Sequence, residues 1–211
     1  SSSIVSALIP STVTNIDTSL TYTVTSIGAF ALLARGYLTS VTIPNTVTSI
    51  GSNAFQSCTG LITVLFDGVS TLTSIEHSVF KGCAVLTGIT IPDTVTTIDT
   101  SAFQSCTGLT SIIIPDTVTS IGSSAFHSCT GLKSLSITTI NTSLTIGNMA
   151  FQSCSDLTSV SIPYYISNYL SSSHWFLYCG QIKTVTFVTA GSDFTKTILN
   201  WWLGTGFYDS R

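Results

Sequence analysis

Charge is scarce in this chain of 211 residues. Only 7% of the residues are Asp, Glu, Lys or Arg, and six basic against nine acidic side chains give a net charge of −3 without a basic cluster. Nucleic-acid binding depends on many Lys and Arg contacts to phosphates, so we expect no nucleic-acid partner. The longest apolar runs, such as residues 30–34, are far shorter than the roughly 18 to 20 residues that cross a bilayer, so we expect no membrane insertion.

Catalytic and metal-binding motifs are missing as well. The sequence contains no CxxC pair and no GxSxG motif, and its three histidines are far apart. A zinc site needs closely converging thiols and imidazoles, and a serine nucleophile needs a neighbouring base. The sequence therefore predicts a non-enzymatic protein without a metal or a cofactor.

Hydroxyl side chains take the place of ions. The chain contains 34 Ser and 36 Thr, beside 44% hydrophobic residues. This balance is unlike that of a cytosolic enzyme.

A repeat of 23 to 25 residues accounts for most of the chain. Six Phe residues are each followed three positions later by a Cys, and three positions after each Cys an aliphatic residue opens the next unit. The cleanest unit, LTSIIIPDTVTSIGSSAFHSCTG, begins at Leu109. A fixed period of this length is typical of solenoid proteins. The six pairs are Phe55 and Cys58, Phe80 and Cys83, Phe103 and Cys106, Phe126 and Cys129, Phe151 and Cys154, and Phe176 and Cys179.

The apolar positions of a unit indicate two short β segments and one helical turn. Ile112 and Ile114 point to the same side of a strand, whereas Ile113 points outward. Ser123 or Ser124 can cap the helical turn that follows. Coils stacked about 4.8 Å apart would pair their strands in parallel and merge their apolar side chains into one core. We therefore expect a mainly β repeat solenoid of about eight coils, roughly 38 Å long.

The recurring pattern LxxIxIPxxVxxIGxxAFxxCxxL resembles the BspA-like leucine-rich repeats, also called the treponemal type, over about residues 4–188. The resemblance implies a curved leucine-rich-repeat solenoid, a right-handed superhelix of parallel strands and short helical turns. It also implies a secreted or surface-exposed protein, often concerned with adhesion to host matrix proteins or to other cells, and no catalytic residues. An extracellular or cell-surface location is expected from this resemblance and from the composition.

The repeat divides the chain into three parts. Residues 1–37 form an elongated, degenerate first coil that serves as an N-terminal cap and includes a second VTSIGAF copy ending at Phe30. Residues 38–181 are the regular repeats, and residues 182–211 are the last coil with an aromatic C-terminal cap. In this last part we expect a helix over residues 193–203 that docks Phe194, Ile198 and one Trp on the last coil.

The aromatic residues at the C-terminal end allow a second interpretation. Trp and Tyr are the residue types expected at a protein-binding hot spot. The candidate assembly contact consists of Trp201, Trp202, Phe207 and Tyr208.

The six cysteines share one repeat position and predict a ladder of buried, reduced thiols rather than a disulfide framework. Neighbouring coils would place their Cα atoms about 5 Å apart, but parallel Cβ vectors keep the Cβ atoms beyond the roughly 3.8 Å that a disulfide prefers. A buried free Cys packs as a small apolar side chain.

One outward-facing strand column is the candidate binding face. It is flat and nearly uncharged, and it would bind a partner protein or a glycan. Two alternatives remain open, because β propensity favours Thr on any exposed strand and because flat Thr arrays resemble those of ice-binding solenoids. The column contains Thr42, Leu65, Thr90, Ile113, Ser136, Ser161 and Thr186. Asn141 begins the one N-glycosylation sequon, in an expanded loop.

Two functions from different classes fit these features. In the first, the protein presents its Ser/Thr-rich face for adhesion or for recognition of a protein or glycan, and exposed Leu65 and Ile113 favour this reading. In the second, it is a structural subunit that binds copies of itself end to end and forms extracellular filaments. The scarcity of charges that would block the terminal strand edges favours the second.

Overall fold

Short β-strands recur along the whole described part of the chain. The structure, a computed structural model, describes residues 5–137, 139, 142–169, 174–189 and 194–197. In chain order the strands are β1 Val5–Leu8, β2 Thr12–Thr14, β3 Thr21–Thr23, β4 Ser26–Ile27, β5 Leu38–Pro44, β6 Ser49–Ile50, β7 Thr63–Asp67, β8 Ser74–Ile75, β9 Thr97–Ile98, β10 Ser111–Ile114, β11 Ser120–Ile121, β12 Ser134–Ile137, β13 Thr145–Ile146, β14 Ser159–Pro163, β15 Thr184–Val188 and β16 Phe194–Thr197. A 3₁₀ helix spans Tyr164–Tyr169.

The longer strands build one wall of a solenoid, and the two-residue strands build another. The long strands pair in the orders β1-β5-β7 and β10-β12-β14-β15-β16, and the short strands in the orders β4-β6 and β13-β11-β9-β8. Apart from β15 with β16, these pairs are parallel. The predicted mainly β leucine-rich-repeat solenoid is therefore confirmed, with about seven turns where the sequence suggests about eight.

The first coil contains an inserted hairpin, and this accounts for part of its length. Strand β1 pairs with β5 and strand β4 with β6, as in the later coils. Between them, β2 and β3 pair antiparallel, with Val13 opposite Tyr22. Leu32, rather than Phe30, takes the position of the repeat Phe, because the Leu32 N–H donates to Ala54 O just as the Phe55 N–H donates to Val79 O.

Phenylalanine rings fill the centre of the solenoid. Phe55, Phe80, Phe103, Phe126 and Phe151 are fully buried. The rings of successive coils stack with centroid distances of 5.1–5.5 Å and interplanar angles of 6–17°, and the stack ends on Phe176. Each ring buries one face against the coil below and the other against the coil above, which no single coil could provide.

The predicted helical turn is wrong in detail, because this wall consists of successive β-turns. Inside the coil, Ala125 N–H donates to Gly122 O at 3.3 Å and Cys129 N–H donates to Phe126 O at 3.2 Å, which places Ser124 and Ser128 at the third position of their turns. Phe126 N–H, in contrast, donates to Ala150 O of the next coil at 2.7 Å. The backbone of Ser124 and Ser128 is left-handed, with φ of 57° and 60°. A positive φ at the third position defines type II turns and does not occur in an α-helix. Hydrogen bonds within the coil alternate with hydrogen bonds to the next coil, so every second N–H of this wall donates to the neighbouring coil.

The predicted helix over residues 193–203 is also wrong where the structure describes it. Phe194–Thr197 is a strand, β16, which pairs antiparallel with β15. The unpaired edge of β15 accepts a strand because its backbone groups need partners, and Thr195 and Thr197 favour extended backbone. The docking of Ile198 and of a Trp lies outside the described residues.

Candidate binding face

The predicted strand column forms one row of side chains along the solenoid. Ile113 lies beside Ser136, Ser136 beside Ser161, and Ser161 beside Thr186 in the parallel registers. Thr42 lies beside Leu65 in the same way. The coil that begins at Leu86 separates this pair from Ile113. Because side chains alternate along a strand, the neighbouring Ile112 and Ile114 point inward and are 2% and 0% exposed.

Two aliphatic side chains stand out of this otherwise polar row. Leu65 is 54% exposed and Ile113 is 67% exposed. Thr90, between them, is exposed, and the other members of the row are partly exposed. The row contains no charged side chain, so desolvating it on binding does not require any ion to lose its water.

The long-strand wall is interrupted in the middle of this face. Gly88 forms a single bridge with Thr63, and residues 89–92 belong to no strand. A Cβ atom on Gly88 would have no heavy atom within 4 Å. Gly interrupts strands because it adds no side chain to the packing. The sequence carries this signal, since Gly88 replaces the Ser or Thr of the other units, but the period of the apolar residues alone does not reveal it.

Charged residues lie along the two borders of the face and are separated by sign. Asp67, Asp93 and Asp116 are exposed where the strand segments end. Lys133 and Lys183 are exposed immediately before β12 and β15, at the opposite border. Within the described part of the chain, neither Asp67 nor Asp93 forms an ion pair.

Hydroxyl groups on the short-strand wall have a structural role that the composition and the repeat pattern do not reveal. Thr119 Oγ1 donates to Thr96 O at 3.3 Å, and Thr96 Oγ1 donates to Thr73 O at 3.2 Å. Thr48 and Thr145 make the same bond to the preceding coil. Part of the high Thr content therefore serves to join coils, and hydroxyl richness alone does not mark a binding face.

The six repeat cysteines are buried free thiols. Each thiol donates to a carbonyl oxygen of the preceding coil, for example Cys106 Sγ to Phe80 O at 3.1 Å and Cys129 Sγ to Phe103 O at 3.1 Å. Burial raises the pKa of Cys106 well above its ordinary value and raises the pKa of Cys129 to about 12. The thiols of Cys106 and Cys129 are therefore held in the protonated, unreactive form.

The histidines lie at different positions of their coils. His77 Nε2 is 3.2 Å from Ser78 Oγ, and His127 Nδ1 is 3.1 Å from Ser128 Oγ. Among the residues that the structure describes, no group of three or more His, Cys, Asp or Glu side chains could hold a metal ion.

Some predicted residues lie outside the described residues. They are Trp201, Trp202, Phe207, Tyr208 and the sequon residue Asn141. Within the described ranges, no helix has the length and apolar character needed to cross a membrane.

Solved structures similar to this one are bacterial leucine-rich-repeat proteins. A leucine-rich cell-surface protein from Faecalibacterium prausnitzii is 35% identical with a TM-score of 0.73, over 88% of this chain and 48% of that one. A leucine-rich-repeat protein from Bacteroides ovatus is 28% identical with a TM-score of 0.72, over 87% of this chain and 45% of that one. The leucine-rich-repeat protein of T. pallidum is 25% identical with a TM-score of 0.66, over 86% of this chain and 79% of that one. The chain thus spans less than half the length of the first two.

A comparison with curated protein sequences finds no match. The sequence does match a family model. The model of the BspA type leucine-rich-repeat region matches residues 11–87 and 73–200, with six copies of the repeat. The chain therefore belongs to the family of BspA-type leucine-rich-repeat proteins.

Proposed function

We propose that this chain is a non-enzymatic recognition module, displayed at the cell surface or secreted, that binds a protein or glycan partner through the long-strand face. The observation that carries the proposal is the uncharged row in which Leu65 and Ile113 are more than half exposed. Exposed aliphatic side chains on a flat wall are a feature of interaction surfaces. Folding of the chain alone does not bury these side chains, whereas binding of a partner does. The F. prausnitzii relative, a cell-surface protein, supports the location.

The test compares two arginine variants at exposed positions. Ile113→Arg places a long cation in the middle of the row, whereas Thr96→Arg places it on the short-strand wall, immediately before β9. Both proteins are applied to a panel of purified extracellular-matrix proteins and to a glycan array. We expect the wild type and Thr96→Arg to bind the same targets and Ile113→Arg to lose them. Equal binding by Ile113→Arg would place the interaction elsewhere and refute the proposal.

A second function, end-to-end assembly into filaments, is favoured by the N-terminal end of the solenoid. Strand β1 has β5 on one side and no strand on the other within the described residues. In the same coil, Leu8 at the end of β1 is 74% exposed, and Ile16 in the turn between β2 and β3 is 94% exposed. An unpaired edge next to apolar side chains invites another chain, and contact between two unlike ends gives an open fibre rather than a closed dimer.

Particle size in solution tests the assembly. Filaments would have an axial repeat near the subunit length of about 34 Å that seven coils give. Ile16→Lys should abolish them, while Val69→Lys, which changes a residue that is 82% exposed on a central coil, should not. A monodisperse 22.3 kDa particle at high protein concentration would rule out this function.

A further inference from the structure

We infer that the interruption at Gly88 is a subsite for a protein segment that carries one apolar side chain beside a Lys or Arg. The inference rests on the proposed recognition function and specifies its partner. We call the subsite the Gly88 notch, and it consists of Leu65, Gly88, Thr90 and Ile113.

The notch exists because one side chain is missing from a continuous row. The neighbours of Gly88 in its own column are Thr63 and Ser111, one coil below and one coil above. A Cβ at Gly88 would meet open space, so the missing side chain leaves a depression about one coil wide. Gly in a strand position is often a place where another molecule approaches the backbone closely.

The core beneath the notch is also less covered than in the neighbouring coils. Ile89 is only partly buried, whereas the equivalent Val64 and Ile112 are 4% and 2% exposed. Partly buried Ile89 thus leaves aliphatic surface incompletely covered in this coil, and exposed Leu65 and Ile113 lie in the coils on either side. An apolar side chain seated there would remove this surface from water, which is favourable in proportion to its area.

The exposed carboxylates at the border of the face determine which charged residue the partner carries beside its apolar side chain. Asp67 and Asp93 are exposed at the border where the strand segments end, shortly after Leu65 and Thr90 in the same coils, and neither forms an ion pair within the described residues. The described basic residues of the face, Lys133 and Lys183, lie at the opposite border and in later coils. A Lys or Arg beside the apolar side chain of the partner therefore meets negative potential without a competing cation.

The same features favour a protein segment over a glycan. The notch contains no aromatic ring on which a sugar could pack, and its two most exposed members, Leu65 and Ile113, are aliphatic. A protein segment can supply both an aliphatic side chain and a cation within a few residues. This chain carries one such exposed segment itself, with Leu33 and Arg35 in the first coil, so self-association is measured in the same experiment.

The experiment uses a phage-displayed library of random dodecapeptides panned on the whole chain. We expect enrichment of peptides with an apolar residue flanked by Lys or Arg. Gly88→Leu fills the notch at a backbone that is not left-handed, and Asp93→Asn removes the charge. Each should weaken the selected peptides at least about tenfold, and added salt should weaken them further.

Matched variants separate the notch from general effects. Gly28→Leu adds the same side chain at a glycine that also has nothing within 4 Å, and Asp156→Asn removes another exposed carboxylate. Both should bind like the wild type.

Two outcomes would overturn the inference, namely enrichment of acidic or uncharged peptides and unchanged binding by Gly88→Leu. Concentration-dependent association of the wild type that Gly88→Leu abolishes would support it, with the segment of Leu33 and Arg35 from a second copy as the occupant. If the matrix or glycan targets are lost by Ile113→Arg but kept by Gly88→Leu, the strand face is the binding surface and only the notch is refuted.

Discussion

At the scale of single residues, the repeat Phe shows why each unit depends on its neighbours. Phe103 is fully buried, and its ring lies 5.4 Å from that of Phe80 and 5.1 Å from that of Phe126. The ring therefore contributes both burial and stacking on two sides, and coils on both sides lose contacts when it is removed.

Truncating this ring should be costly. We expect Phe103→Ala to lower the free energy of unfolding by about 3 to 5 kcal/mol, as deletion of a buried aromatic ring generally does. Urea titration measures the loss. The control is Ile113→Ala, because Ile113 is mostly exposed and should cost far less. A loss below about 1 kcal/mol for Phe103→Ala would mean that the ring does not support both coils.

A hydrogen bond explains why the repeat position holds a Cys, although any small apolar side chain would fit there. Its Sγ donates to a carbonyl of the preceding coil at 3.0–3.4 Å. That carbonyl is part of the turn wall, and a buried carbonyl without a donor is unfavourable. The thiol thus combines the packing of a small apolar residue with a weak hydrogen bond.

The buried thiols predict loss of stability at alkaline pH. In the unfolded chain a thiol ionises near a pKa of about 8.5, whereas the folded Cys129 stays protonated until its pKa of about 12. The folded state then holds more protons, so its stability is complete below the unfolded pKa and declines as pH rises towards the folded pKa. Above pH about 8.5 we expect a slope near 1.4 kcal/mol per pH unit for this thiol.

Urea titrations between pH about 7.5 and 9.5, under reducing conditions, measure this slope. Cys83 and Cys106, whose pKa values are also raised by burial, add to it in the wild type. Cys129→Ala should lower the slope by the share of one thiol. A stability independent of pH in this range would contradict the burial of the ladder.

At the scale of elements, close approach of successive coils explains the glycine that follows four of the six two-residue strands. A Cβ on Gly122 would lie 2.4 Å from Thr100 N and 2.6 Å from Asp99 C. The equivalent Gly28 has nothing within 4 Å, because it belongs to the first coil. The requirement for glycine thus arises from stacking and not from backbone conformation, since Gly122 has no positive φ.

This difference gives a matched pair of substitutions. Gly122→Ala should lower the free energy of unfolding by about 1 to 3 kcal/mol, the usual cost of an overpacked contact. Glu76 and Asp99 occupy the equivalent position in two other coils, so the spacing can adjust and a larger loss is not expected. Gly28→Ala should be neutral or slightly stabilising. Equal losses for the two variants, by thermal or urea unfolding, would show that stacking is not the cause.

The strands and the turn wall also differ in how well the sequence predicts them. The periodicity of aliphatic residues predicts the inward positions, such as Ile112 and Ile114, because a buried column tolerates few residue types. The turn wall was assigned as helical because small residues before an Ala-Phe pair fit a capped turn equally well. Its left-handed Ser residues depend on hydrogen bonds to the next coil, and a local pattern does not contain those bonds.

The outward positions of the candidate face follow from the sequence, but its shape does not. Alternation along the strand identifies Leu65 and Ile113 as outward. The break at Gly88 depends on whether the neighbouring strands pair across the unit that begins at Leu86. It is therefore a property of the whole sheet and not of one unit. Strand β16 was missed for the same reason, since the free edge of β15 determines its conformation.

At the scale of the whole molecule, the solenoid is a sum of coils and of interfaces between neighbours. The contacts that join coils are the Phe stack, the thiol and Thr hydrogen bonds and the parallel strands, and each links only adjacent units. Removing one complete unit should therefore leave the remaining interfaces with equivalent partners.

Deletion of residues 109–131, one 23-residue unit, tests this view. The unit from Leu86 would then join the unit from Leu132, and Phe103 would stack on Phe151 in place of Phe126. We expect a folded protein with a β-type circular dichroism spectrum, a cooperative transition and a urea m-value lower by roughly a tenth, because less surface is exposed on unfolding. Deletion of residues 109–120 is the control, because it removes about half a unit and puts the following coils out of register. If both deletions unfold the chain, stability depends on the whole array, and the coils are not the interchangeable units that their repeated contacts indicate.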